Sequence, residues 1–273
     1  MEISLLHRLW GAWLGFRGAI ALEPRFSAAE IIALDLWQAL LGTGDWPVDQ
    51  NRFAQGWLVD PLENALALLP VLLFYHEDPG YLGDRLGRCG LRPAHLNVVQ
   101  DIGLCMSDCL REKVTLGQFG VWLGRRSPQH DQETALLESI YYRNKSWRDY
   151  QRQLSMSTFT PTAQQLLQLY GAILWSGGHV GHCQRLLGGC GAVVQVWGHI
   201  LLGCLRGDRQ SHQRNNPRLN HHELRADVVA FWSRWSGLPP TNQLRLEQFP
   251  VIANAQGLKP RASLQLISQR HLT

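Results

Sequence analysis

LGGCGAVVQVWGHILLGCLRG, residues 187–207, is apolar and carries glycines at 188, 189, 191, 198, 203 and 207. Small residues at near-helical spacing let a helix approach its neighbours closely. The stretch therefore predicts a buried central helix over 193–206, entered through a tight turn at Gly188-Gly189. The remaining apolar segments read as support packed around it, which makes the expected fold all-α.

Working outward, residues 5–22 read LLHRLWGAWLGFRGAIAL, again apolar, with Gly11 and Gly15 on one helical face where a second helix can lie close. After Glu23-Pro24-Arg25-Phe26, Ser27 stands where it can cap a helix, with Glu30 three positions on. That helix carries Ile31, Leu34, Leu36, Trp37, Leu40 and Leu41, and 42–47 ends it. A helical pair is expected over 49–58 and 61–75, the second kinked by Pro70. Two or three shorter helices follow in 81–126, and a polar-faced one in 128–145. Residues 143–160 are polar and read as an exposed connection. Thr160 and Pro161 open a helix running to Trp175, and 179–187 forms a short one leading into the central turn. Residues 208–220 read as a loop. A last helix spans 221–235, with Leu224, Val228, Phe231, Trp232 and Trp235 inward. The expected organisation is one helical domain over 1–235, with a proline-containing tail over 236–273 packed on it.

The 187–207 segment resembles the C-terminal signature of the ADP-ribosylglycohydrolase family, in which a Gly-Gly turn carries an Asp-x-Asp-Thr metal motif ahead of a small-residue helix. Gly188 and Gly189 match the turn; Leu201, Leu202, Gly203 and Gly207 match the helix end. GAWLGFRGAIAL, 11–22, resembles the family's opening glycine-rich helix. The segment from Asn64 to Pro70 resembles its Asn-Gly-x-x-Met-Arg-x-x-Pro stretch. The resemblance covers roughly 5–75 and 160–207, and it implies a compact multi-helix bundle around the glycine-rich helix.

The family hydrolyses ADP-ribose bonds with two metal ions held by carboxylates. Here Ala19 stands at one aspartate position. Ser27, Ala28, Ala29 and Glu30 fall on the Thr-Asp-Asp-Thr of the first metal helix, and Cys190, Ala192 and Val193 on the last motif. Methyls and a thiol are not the hard oxygen ligands that Mg²⁺ requires, so the resemblance implies a lost metal site and no cofactor. The implied function is a catalytically degenerate relative used as a binding or regulatory module. A protein partner or a nucleotide-like ligand in the ancestral cleft both stay open. An active ADP-ribosyl hydrolase with a rearranged site, drawing on Asp45, Asp49, Asp60 or Glu63, is the enzymatic alternative.

The net charge of +4 is gathered late, with Arg209, Arg214 and Arg218 in one polar stretch. An anion or nucleic-acid binder working through 206–225 is the third reading, and a solvated face explains the same charges. Nucleic acid is accordingly not the expected partner. Trp232, Arg234 and Trp235 form a candidate protein-binding patch, and Asn64 a candidate binding residue. His179, His182, Cys183 and Cys190 have the residue types of a zinc site, yet structural histidines account for them better and no metal is expected. Cys105 and Cys109 share a helical face, as buried thiols would. Six cysteines without a secretion signal, and no apolar run of bilayer length, lead to the expectation of a cytoplasmic protein with no membrane span.

Overall fold

The computed structural model describes residues 5–21, 23–46, 57–111, 146–207 and 219–236, and among these the chain is helical with no strand. The helices are α1 (Leu5–Ile20), α2 (Ser27–Thr43), α3 (Pro61–Ala67), α4 (Leu69–Phe74), α5 (Pro79–Gly87), α6 (Pro93–Leu110), α7 (Trp147–Ser155), α8 (Pro161–Ser176), α9 (Val180–Leu187), α10 (Ala192–Arg206) and α11 (His221–Ser236). None is long and apolar enough to cross a membrane. The expectations for 49–56, 112–145, 208–218 and the tail from 237 lie outside the described residues.

α10 is the hub: α1, α3, α6, α8 and α9 all pack on it. Its buried residues, Val193, Val194, Val196, Trp197, Gly198 and the run Ile200 to Leu205, run round its circumference. A helix apolar on all but the narrow face of Gln195 and His199 has to sit largely inside, and this one does. Its closest partner is α1, in an antiparallel pair that glycine makes possible. A β-carbon at Gly11 would stand 2.6 Å from the Gly203 carbonyl oxygen, and one at Gly15 would stand 2.6 Å from that of His199. A β-carbon at Gly203 would overlap the Gly11 backbone. The two backbones touch. Where they end, the buried Arg8 guanidinium donates through Nη1 to the carbonyls of Cys109 (3.1 Å), Cys204 (3.1 Å) and Leu205 (3.3 Å), a cation at the C-terminal ends of α6 and α10.

The opposite side of α1 is filled by rings. Trp13 stacks on Trp37 of α2 (centroids 3.9 Å, 16°), which stacks on Phe231 of α11 (4.0 Å, 13°), against which Phe74 of α4 sits edge-on. Four helices are joined through aromatic side chains.

Several local readings need correction. Ser27 does not cap α2: the N-cap is Phe26, at the end of a 3₁₀ turn over Pro24–Phe26, and no side chain caps the helix. Gly188 and Gly189 do form a turn, but neither has a positive φ and nothing crowds Gly189, so glycine is not required there. Residues 147–155, expected to be exposed connection, form α7. A reciprocal cap between Ser146 and Asp149 starts it, and the spacing of Trp147, Tyr150 and Leu154 lays one face on α8, where the Tyr150 hydroxyl donates to the Leu167 carbonyl (2.8 Å). The expected kink at Pro70 is a break between α3 and α4 at Leu68.

Candidate functional site

The packing of α1 on α10 fixes where the positions singled out by the resemblance lie. Gly11 faces Gly203 and Gly15 faces His199, so each four-residue step along α1 moves four residues back along α10. Continuing that register sets Ala19 opposite Gln195, at the end where Ala192 and Val193 begin α10. The chain then turns through Pro24–Phe26 into α2, whose Glu30 reaches back to Arg17 of α1 with Nη1 to Oε1 at 2.5 Å. Ala19, the start of α2 and the start of α10 thus belong to one end of the α1–α10 pair.

What this end holds is a guanidinium among acids. Arg17 pairs with Glu30, each about a quarter exposed. Asp227 of α11 is held above the ordinary carboxylate range by burial, with Arg17 opposing and Glu223 adding to the shift. Glu30, Asp227 and Glu223 come from two helices, and Arg17 from a third. Of the other positions, Ser27 and Ala28 are exposed, Ala29 and Val193 are buried in the core, and Ala192 is half-buried. Cys190 is half-buried, its thiol pushed up by burial, and its carbonyl accepts from Gln195 Nε2 at 3.0 Å. Among the described residues no three His, Cys, Asp or Glu side chains are grouped to hold a metal ion.

Four of the residues singled out as binding candidates, Asn64, Trp232, Arg234 and Trp235, lie among the described residues and pack or hydrogen-bond within the fold. Asn64 is fully buried. Its Oδ1 accepts from the Leu58 amide (2.8 Å), and its Nδ2 lies near the Leu58 carbonyl (2.8 Å), the Asp60 carbonyl (3.2 Å) and His95 Nδ1 (2.9 Å). It ties 58–60 to α3 and α6. Trp232 and Trp235 are 6% and 8% exposed, so their rings belong to the core. Arg234 donates to the Gly42 carbonyl at 3.2 Å, finishing the C-terminal end of α2. Arg209, Arg214 and Arg218 lie outside the described residues. His182 is exposed while its neighbour Cys183 is buried with its thiol pushed up to about 12, so the two face apart. Cys105 and Cys109 are buried and share a hydrogen bond, and Cys109 is shifted upward by that bond and by burial.

Of the carboxylates considered for a rearranged site, Asp45 and Asp60 are engaged. Asp45 accepts from the Tyr75 hydroxyl and pairs with Arg85 at 2.7 Å; burial and the Asp45 hydrogen bond push the Tyr75 phenol far up. Asp60 caps α3 by accepting from the Leu62 amide at 2.7 Å. Glu63 is shifted upward by burial and by Asp60, with Arg25 opposing. Asp49 lies outside the described residues.

The charged residues gathered at this end that sequence reading did not single out as a site are Arg17, Glu223 and Asp227. The available signal was a second arginine, after Arg8, inside the largely apolar, glycine-rich α1. No protein-family model, curated protein or solved structure matches the chain.

Proposed function

We propose that this protein is a catalytically degenerate ADP-ribosylglycohydrolase-like bundle, cytoplasmic, acting as a binding or regulatory module. The observation that supports this most is the Arg17–Glu30 pair. Hydrolysis by two metal ions needs several carboxylate oxygens free to meet a divalent cation. At the corresponding end of α1 and α10, the one acid among residues 27–30 is already neutralised by a fixed cation, and Ala19, Ala28, Ala29 and Ala192 offer only methyl groups. A guanidinium cannot polarise water into hydroxide as a divalent ion does, so the arrangement retains charge balance without the chemistry. Binding survives such a change. The partner is then a protein, or a nucleotide-like ligand taken up without metal. The rearranged-hydrolase alternative is weakened because Asp45 and Asp60 are committed to holding α2, α3 and α5 in place.

The test is release of ADP-ribose from mono-ADP-ribosylated peptides in Mg²⁺ and in Mn²⁺, run beside calorimetric titration of ADP-ribose with and without the ions. The expected result is no release above buffer, and an ADP-ribose affinity, measurable or nil, that the ions do not change. Release that requires the ions and disappears in Glu30→Gln would overturn the proposal.

A further inference from the structure

His76 lies just beyond α4, 1% exposed, with its ring 5.2 Å from that of Trp235 at the end of α11. Its Nδ1 is 2.7 Å from the Leu73 carbonyl, which can only accept, so the proton of the neutral ring sits on Nδ1 and Nε2 carries a lone pair. That Nε2 is buried and has no partner among the described residues. A second proton there makes a buried cation whose new N–H has nothing to donate to, a costly state. The groups packed around the ring do not compensate it. α4 is apolar throughout, from Leu69 to Phe74. α6 contributes the Ser107 hydroxyl, which donates to the His76 carbonyl. It ends at Arg111, a like charge that donates Nη1 to the Glu77 carbonyl (3.2 Å) and whose buried Nε also lacks a partner among the described residues. α11 contributes the Trp235 ring and sends Arg234 to the Gly42 carbonyl. A cation–π contact with Trp235 recovers less than the hydration that a buried cation forfeits. Asp78 is turned to the Tyr81 amide, and burial pushes the Glu77 carboxyl up to about 7, which leaves it uncharged where His76 would ionise.

We propose that His76 is an acid-sensitive latch: proton uptake at Nε2 frees α11 from α1 and α2, because the ring regains water once Trp235 lifts away. α11 is the element placed to yield. Its first two turns are open to solvent at His222, Glu223, Arg225 and Ala226, whereas α10 is enclosed by α1, α3, α6, α8 and α9. Elements held on one side open at lower free energy than enclosed ones. Release uncovers Trp37 and Phe74, on which Phe231 rests. Neither metal nor ADP-ribose enters, so the latch stands apart from the scaffold reading.

Hydrogen exchange of the full chain, corrected for the intrinsic rate at each pH, reads the opening of each helix. With the His76 pKa at about 4 while α11 is docked and 6.5 once it is released, the open fraction grows as pH falls between those values and levels off below them. The measurement is made in Glu77→Gln, which removes the opposing carboxyl. At pH 6.5 the amides of 221–236 should be at least about tenfold less protected than those of α10, the mark of a helix that opens on its own. Their protection should fall about thirtyfold further by pH 4.5. In the same background, His76→Phe keeps a ring against Trp235 and His76→Gln keeps a donor for the Leu73 carbonyl. Neither titrates, so the slope should vanish in both, whatever their absolute protection. Equal protection of α11 and α10 at every pH, an α11 opening that does not change with pH, or a slope that survives both His76 replacements would each overturn the latch.

Discussion

α1 shows two ways of joining helices on opposite faces of one element. Toward α10 it presents Gly11 and Gly15, and the backbones meet directly; toward α2 and α11 it presents Trp13, and the gap is filled by stacked rings. The glycine seam is defined by what is absent and has no tolerance for addition. The aromatic seam is defined by volume and has no tolerance for removal. A helix that must be approached to backbone contact on one side and held at ring thickness on the other has its rotation fixed. That fixity sets the end of α1, where Arg17 meets Glu30, against the start of α10.

The largest expected effect breaks the aromatic side. Trp37→Ala should cost about 4 kcal/mol by urea unfolding, and the series Trp37→Phe, Leu, Ala should fall in graded steps with the volume removed. The glycine side should respond as a threshold. Gly203→Ala should cost about 3 kcal/mol, with Gly203→Val little worse at equilibrium because the first methyl already collides with the Gly11 backbone. Gly42→Ala is the control: it sits in α2 with nothing within 4 Å of the added methyl, and it should stabilise by about 0.5 kcal/mol. A graded response in the glycine series, or a loss at Gly42, would erase the distinction.

The aromatic side also carries two buried titrating groups whose pH responses oppose each other. On the aromatic side His76 is buried, its ring 5.2 Å from that of Trp235, with Nδ1 on the Leu73 carbonyl at 2.7 Å and no partner for Nε2 among the described residues. Burial lowers its pKa from 6.5 to about 4, the Leu73 hydrogen bond opposes the shift, and Arg111 adds to it. The unfolded chain therefore takes up the extra proton between these values, and stability falls as pH drops from 6.5 to 4. Neighbouring Glu77 runs the other way. Burial raises its pKa from 4.5 to about 7 against the pull of Arg111, so stability falls as pH rises from 4.5 to 7. The opposed slopes flatten the profile of the native chain. Glu77→Gln should expose the His76 slope, with the urea midpoint climbing from pH 4 to 6.5; an unchanged flat profile would show that His76 does not stay neutral in the fold.

The smallest expected effect concerns Arg234. Its hydrogen bond to the Gly42 carbonyl is exposed, so Arg234→Ala should lower stability by about 0.5 kcal/mol. A larger loss would mean that α11 depends on this bond more than on Phe231, Trp232 and Trp235.

Much of this architecture was legible in the sequence, and the reasons are local. The 3.6-residue periodicity of 161–176, 192–206 and 221–236, together with the Thr160-Pro161 start, announced helices that the structure carries. The Gly11/Gly15 spacing announced a close neighbour. What it could not announce was the neighbour's identity, since Gly203 is 192 residues away and register is set by three-dimensional fit. Polar composition hid α7, because only three of its nine residues face inward. The inward side read for 221–235 is the buried one, with Trp232 and Trp235 in the core. The acids around Arg17 come from α2 and α11, so no spacing rule could have gathered them.

The most direct test is a Mn²⁺ titration of the full chain followed by the electron paramagnetic resonance of the free ion. If Arg17 stands in for the cation, the free-ion signal should track added Mn²⁺ through the millimolar range, in the native chain and in Glu30→Gln alike. Stoichiometric loss of that signal, restored by Glu30→Gln, would mean that carboxylates still bind a divalent ion at the end of α1 and α10.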